Sequence, residues 1–221
     1  MKTALILGSS GGIGRAVSNR LLARSVRVSG LSRSADGFDL TRPEVAEDML
    51  GRLEGPYDLV LVASGALEIG GAQPEKTIRA ISAEAMLEQF ALNAVGPALA
   101  LKHAHRLLPR KGRSVFAVLS ARVGSIGDNR LGGWISYRAA KAAVNQIVHT
   151  AAIELGRTHP DAICVALHPG TVKTPFTRKY LGRHPAVEPD AAAGNLLRVI
   201  DGLSVDQTGQ FFDWAGRPIP W

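Results

Sequence analysis

Short uninterrupted apolar runs alternate along the chain with stretches whose apolar positions recur every third or fourth residue. The runs from Lys2 to Leu7, Val26 to Leu31, Tyr57 to Ala63, Ser114 to Leu119 and Asp161 to Leu167 read as strands buried on both faces, since a strand with one wet face would alternate apolar and polar positions. Between them, Ile13, Val17, Leu21 and Leu22 mark a helix, Glu44 to Leu53 a second that starts near Pro43, and Ser82 to Leu108 a long helical stretch. The alanine-rich segment ISYRAAKAAVNQIVHTAAIEL contains no Gly or Pro and predicts a helix beginning near Trp134. A short further strand is expected just before Asp39. Strands and helices alternating in this way predict an α/β fold: one Rossmann-type, doubly wound parallel sheet over residues 1–221, with helices on both faces and its ligand at the carboxyl ends of the strands.

Composition adds limits. A chain of 221 residues with 46% hydrophobic content is long enough to bury a substantial core. Its single cysteine, Cys164, lies in the apolar run AICVAL, which excludes an internal disulfide and points to a buried thiol in a cytoplasmic protein. No apolar run is long enough to span a bilayer. The formal charge of +7 raises the question of nucleic acid, but the 26 basic residues are scattered and no binding motif accompanies them. A small anionic ligand accounts for the charge more simply.

The candidate chemistry is concentrated in SIGDNRLGGWISYRAAK, Ser125 to Lys141. Tyr137 and Lys141, four residues apart, share one face of the expected helix. A phenol titrates near pH 10, so an adjacent ammonium is expected to lower the Tyr137 pKa toward the working range of a proton-transfer group. Ser125 falls in a glycine-rich loop, where its hydroxyl is positioned to bind a substrate oxygen. Asn93 interrupts the long helical stretch shortly before Gly96-Pro97, so a local break is expected there. No His, Cys and carboxylate cluster has the spacing of a metal site.

A second constellation suits a dinucleotide. Gly8, Gly12 and Gly14 in GSSGGIG, with Ser10 and Ile13 among them, form a tight turn from the first strand into the first helix, where free N–H groups and the helix dipole favour a pyrophosphate. The second strand ends in Ser32-Arg33-Ser34 where an NAD-binding chain would carry an acid, and Arg33 can pair with a 2′-phosphate; this favours NADP(H). Asp39 is placed either to accept from an adenine amine or to cap the following helix.

These motifs resemble those of the short-chain dehydrogenases/reductases over nearly the whole chain, most closely the branch of C-factor and small carbonyl reductases. The resemblance implies catalytic roles for Asn93, Ser125, Tyr137 and Lys141. It also implies cofactor contacts from the glycine turn, Asp39-Leu40, Ser64, Gly65, Tyr137, Lys141 and the segment HPGTVKT, through Pro169, Gly170, Val172 and Thr174. The implied activity is NADPH-dependent reduction of an aldehyde or ketone, or oxidation of the alcohol, by a homo-oligomer paired partly through the small residues Ala139, Ala142 and Ala143. Two positions depart from the family pattern: Val62-Ala63-Ser64-Gly65, where Asn-Asn-Ala-Gly is usual, and Leu7, where a threonine often precedes the first glycine. The polar, proline-containing segment Phe176 to Pro189 reads as a lid or a surface loop.

Overall fold

The computed structural model describes residues 1–175, 177–180 and 185–221. The strands are β1 (Thr3–Leu7), β2 (Arg27–Leu31), β3 (Leu59–Val62), β4 (Ser114–Leu119), β5 (Ala162–His168) and β6 (Phe211–Asp213). They form one parallel sheet in the order β2-β1-β3-β4-β5-β6. The strand order reverses at β1, which lies between β2 and β3, and the crevice of an open α/β sheet opens at such a point.

Alternate residues of the strands serve two cores. Leu5, Leu7, Val60, Val62, Phe116 and Val118 face α3 (Pro43–Gly51), α5 (Gly96–Lys102), α6 (Ala104–Leu107) and α7 (Ile135–Leu155). Ala4, Ile6, Leu59, Leu61, Val115 and Ala117 face α1 (Gly12–Ala23) and α8 (Pro189–Gly202). Both faces being dry, a strand such as β4 is buried at every position, which is why SVFAVL reads as a continuous run. Cys164 lies inside the first core, and burial pushes its thiol up to about 12. Among the described residues, no helix is long and apolar enough to cross a membrane.

Two regions differ from the sequence pattern. No strand precedes Asp39. Instead Ser32 N-caps a single turn of helix, α2 (Arg33–Asp36), by accepting from the Ala35 N–H at 3.3 Å, while Asp36 accepts from the Ser32 N–H at 2.8 Å. Gly37, at φ 72°, then ends the turn, so local side-chain bonds outcompete a strand. The stretch from Ser82 divides into α4 (Ala83–Phe90), a π-helical turn (Ala91–Val95), α5 and α6. The expected break is thus a change of helical register, and Pro97 sits in the first turn of α5, where a missing N–H costs least. At the C-terminus, Phe211 and Phe212 on β6 are buried on opposite faces of the sheet, whereas Trp214 and Trp221 are partly exposed.

Candidate active site

The glycine turn fits the diphosphate for which its pattern argues. A Cβ on Gly14 would lie 2.2 Å from the Gly8 carbonyl oxygen, and one on Gly12 would strike the Thr174 methyl at 2.7 Å. Helix α1 starts at Gly11 without a side-chain cap and without an acid in its first turn, so its amino end carries uncompensated positive charge. Arg15, which sequence reasoning passed over, folds back to donate to the Ser10 carbonyl at 2.9 Å and adds a guanidinium beside the turn. The same turn is braced by Ser64, whose hydroxyl and amide leave no room for a Cβ on Gly8.

At the outer end of this crevice, Asp39 accepts from the N–H and hydroxyl of Thr41 at 2.9 and 2.7 Å, a bond pair within the loop; it does not cap α3, whose N-cap is Arg42 without a side-chain bond. Burial raises its pKa, but the Thr41 bonds and the charges of Arg33 and Arg42 outweigh this and hold the carboxyl below its usual value. Arg33 and Asp39 therefore feel one another across this end of the crevice. Leu40 turns its side chain inward, where a Cβ on Gly96 would touch it at 2.7 Å.

Helix α7 brings Tyr137 and Lys141 onto its buried face, at 7% and 3% exposure. Lys141 Nζ donates to the carbonyl of Leu119, the last residue of β4, at 3.0 Å and lies 5.8 Å from the Tyr137 ring centroid. Gly65 connects this pair to Asn93: a Cβ there would lie 2.9 Å from Asn93 Oδ1 and 3.4 Å from Lys141 Nζ. Asn93 is wholly buried in the π-turn, donating from Nδ2 to the Ala66 carbonyl and to Gln89 Oε1, and accepting from the Ala66 N–H. A π-turn displaces one side chain from the regular helical face, a device frequent at functional sites. Gly170, at φ 80°, turns the segment after β5 back over the crevice, and Val172 and Thr174 follow it.

Electrostatics correct one expectation. Lys141 was expected to lower the Tyr137 pKa, but burial dominates at both groups. It drives the phenol above its ordinary value and the Lys141 ammonium down to about 8. At neutral pH Tyr137 is therefore a protonated phenol, the form that can give a proton. His168, at the end of β5, is held neutral by burial and the Arg122 charge, against the pull of Asp213, with its pKa near about 4.

Ser125 has partners that its sequence position did not suggest. Its hydroxyl donates to the Pro220 carbonyl and accepts from the Asp128 N–H at 3.1 Å, while the Gly127 N–H donates to the Trp221 carbonyl at 2.7 Å. Trp221 is in turn stacked on Phe211 with centroids 6.1 Å apart. The C-terminal segment thus ties down the loop on which Ser125 sits. In the segment expected to be a lid or loop, residues 176 and 181–184 lie outside the described residues. Of the remainder, Tyr180 and Lys179 both bond Glu68, at 2.6 and 2.7 Å, and Tyr180 meets Trp134 edge-on at 5.5 Å.

Residues 37–206 match the family model described as Enoyl-(Acyl carrier protein) reductase, which spans the π-turn, α7 and the segment after β5. The chain is a short-chain dehydrogenase/reductase. Among relatives of this reductase family, the 1-hydroxy-2-glutathionyl-2-methyl-3-butene dehydrogenase of Rhodococcus sp. (strain AD45) is 29% identical over 234 residues, covering 100% of both chains. The C-signal of Myxococcus xanthus is 38% identical over 143 residues, covering 62% of this chain and 78% of its own. In fold, this short-chain dehydrogenase/reductase matches the carbonyl reductase Sniffer of D. melanogaster with a TM-score of 0.82 at 21% identity, over 100% of both chains. It also matches the NADPH-bound carbonyl reductase from chicken fatty liver with a TM-score of 0.83 at 24% identity, over 100% of this chain and 94% of that one.

Proposed function

We propose that the protein is an NADPH-dependent carbonyl reductase that converts an aldehyde or ketone to an alcohol, with Tyr137 as its acid-base group. The observation that carries this reading is the burial of Tyr137 and Lys141 together on α7, with Asn93 and Lys141 flanking Gly65 at the carboxyl ends of β3 and β4. NADPH, when bound, supplies a hydride to the carbonyl carbon. The chain's own work is the proton: Tyr137 Oη gives it to the carbonyl oxygen, and the nearby Lys141 ammonium stabilises the phenolate that remains. A water between Asn93 and Lys141 returns a proton from solvent to Tyr137. Ser125 enters the proposal as the group holding the carbonyl oxygen, for which its hydroxyl has to leave Pro220.

The glycine turn, Asp39-Leu40, Ser64, Gly65, Pro169, Gly170, Val172 and Thr174 make up the proposed cofactor cradle, and the NADPH-bound carbonyl reductase among the fold neighbours agrees with it. Two copies are proposed to pair through the faces carrying Ala139, Ala142 and Ala143 and the exposed Leu87, Val95 and Ile153. The likeness to the C-signal supports a second reading, a cofactor-dependent signalling protein, which needs the cradle and not the Tyr137 proton. The deciding experiment follows NADPH consumption against a panel of aldehydes, ketones and quinones, with Tyr137→Phe as the control. Turnover lost in the variant is the expected result, and NADPH binding without turnover on any carbonyl favours the second reading.

Cofactor choice gives a further expected outcome. Arg33 follows the end of β2, and the acid of the same helical turn, Asp36, is turned back onto the Ser32 N–H and hydroxyl. NADPH should bind more tightly than NADH, and Arg33→Ala should narrow the difference by about 1 to 3 kcal/mol, the contribution of charge-assisted bonds to a phosphate. Fluorescence titration of both cofactors measures this directly; equal affinities in the unaltered protein contradict it.

A further inference from the structure

Helix α7 begins without the groups that ordinarily begin a helix. Its N-cap residue is Trp134, which offers no acceptor side chain, and no acid follows in the first turn. The backbone there is also unfavourable: Gly132, Gly133 and Trp134 all have positive φ, at 62°, 67° and 53°, and only the last lacks the freedom of glycine. Arg138 holds one side of this left-handed entry, donating to the carbonyls of Gly133 at 2.8 Å, Gly132 at 3.0 Å and Val123 at 3.2 Å. Glu75 holds the other side. Its carbonyl accepts the Trp134 N–H, while its carboxylate accepts the Ser136 N–H at 3.3 Å and the Ser136 hydroxyl.

We infer that Glu75 is a positioning residue for Tyr137. It comes from the loop after β3, remote in sequence from α7, and is 7% exposed. Its carboxylate meets the positive end of α7 and takes an N–H that the helix leaves unpaired. Ser136, which it grips by both donors, immediately precedes Tyr137. Glu75 and Tyr137 also line the same cavity of about 10 Å³, with Gln89 and Ser136, a space suited to a single water. Through Gln89, which accepts from Asn93 at 2.7 Å, this cavity adjoins the π-turn. Glu75 thereby fixes the Tyr137 side of the site relative to the Asn93 side. This role rests on the reading of Tyr137 as proton donor.

Three variants test it: Glu75→Ala removes the acceptors, Glu75→Gln keeps one of them, and Ser136→Ala removes only the hydroxyl. Glu75→Ala should lower kcat for carbonyl reduction by about 10- to 100-fold, the scale of a small misplacement of a reacting group. Its affinity for NADPH should stay within about 3-fold, because the glycine turn is elsewhere. Glu75→Gln should recover kcat to within about 3-fold of the parent, and Ser136→Ala should show a smaller loss that does not add to that of Glu75→Ala. Amide exchange at residue 136 supplies a readout independent of turnover, and should quicken about 10-fold in Glu75→Ala and not in Glu75→Gln. A folded Glu75→Ala protein with parental kcat and parental exchange overturns the inference. Should Glu75→Ala fail to fold, a folded Glu75→Gln protein slowed by about 10-fold or more, or a Ser136→Ala protein with parental kcat, overturns it. A parent protein that turns over no carbonyl overturns the function proposed for Tyr137, and the exchange data then judge the cap separately.

Discussion

Tyr137→Phe is expected to bind NADPH within about 3-fold of the parent and to reduce a good carbonyl substrate about 10² to 10⁴ times more slowly, the usual contribution of a positioned acid-base group. The substitution keeps the ring, its place on α7 and its edge-on contact with Trp134 at 6.5 Å, and removes the hydroxyl together with its exchangeable proton. Single-turnover reduction at saturating NADPH measures the step itself. The direction of the Tyr137 shift adds a pH signature. Because burial raises the phenol pKa, the donor form is full at pH 7 and the reductive step should not fall there for want of the Tyr137 proton. Alcohol oxidation needs the phenolate, so its rate should rise with pH across the range in which reduction still has its donor. A variant as fast as the parent in single turnover would remove Tyr137 from the chemistry and leave the signalling reading in front.

Lys141→Met is expected to have opposite effects on activity and stability. The parent holds an ammonium at 3% exposure that donates to the Leu119 carbonyl, and burial brings its pKa from an ordinary value of 10.5 down to about 8. A lowered lysine pKa means that the unfolded chain binds the proton more tightly than the folded one. The penalty is therefore present in full below pH 8 and fades between about pH 8 and 10.5 as the folded-state group gives up its proton. At about 1.4 kcal/mol per pKa unit, a fall from 10.5 to about 8 corresponds to roughly 3 to 4 kcal/mol, and losing the bond to Leu119 offsets about 1. The cofactor-free Met variant should be more stable at pH 7 by about 2 to 3 kcal/mol, and the gain should shrink toward pH 10. Its reductase activity should be abolished and its NADPH affinity weakened. Chemical denaturation at the two pH values checks the stability, and a gain that grows with pH contradicts the account.

What could be read from the sequence was local and repetitive. The strand β4 needs no partner to be recognised, because a parallel strand dry on both faces is apolar at every position. Tyr137 and Lys141 could be paired because the alanine-rich run gives an unbroken helical register, and the helix starts at Ile135, one residue after Trp134. The glycine turn was legible because its spacing is dictated by a backbone that cannot tolerate a Cβ at Gly14. What could not be read depends on chain segments meeting across distance. Glu75 sits in the segment AQPEKT, which has no periodicity, and its sole trace in the sequence is a deficit elsewhere: a long helix whose start, Gly-Gly-Trp, offers no capping side chain. Ser125 looked free because Pro220 comes ninety-five residues later. The expected strand before Asp39 failed on a competition between Ser32, Asp36 and the backbone that residue preferences alone do not rank. The Tyr137 pKa was misjudged for the same reason, since proximity to Lys141 was legible and the depth of burial was not.

The π-turn makes chain length, at one point, a functional quantity. Ala91–Val95 accommodates more chain than the same rise of α-helix, so α4 and α5 each keep their own apolar face on their neighbours while the side chain between them is thrown out of phase. Asn93 gains its position from that surplus rather than from its identity alone. A substitution at Ala91 or Leu92 can leave the count intact, whereas deleting one residue here would let the helix close into regular α geometry and swing Asn93 away from Gly65, with every side chain of the proposed site still present in the sequence. Insertions and deletions between Phe90 and Gly96 are therefore constrained more severely than exchanges of one residue for another.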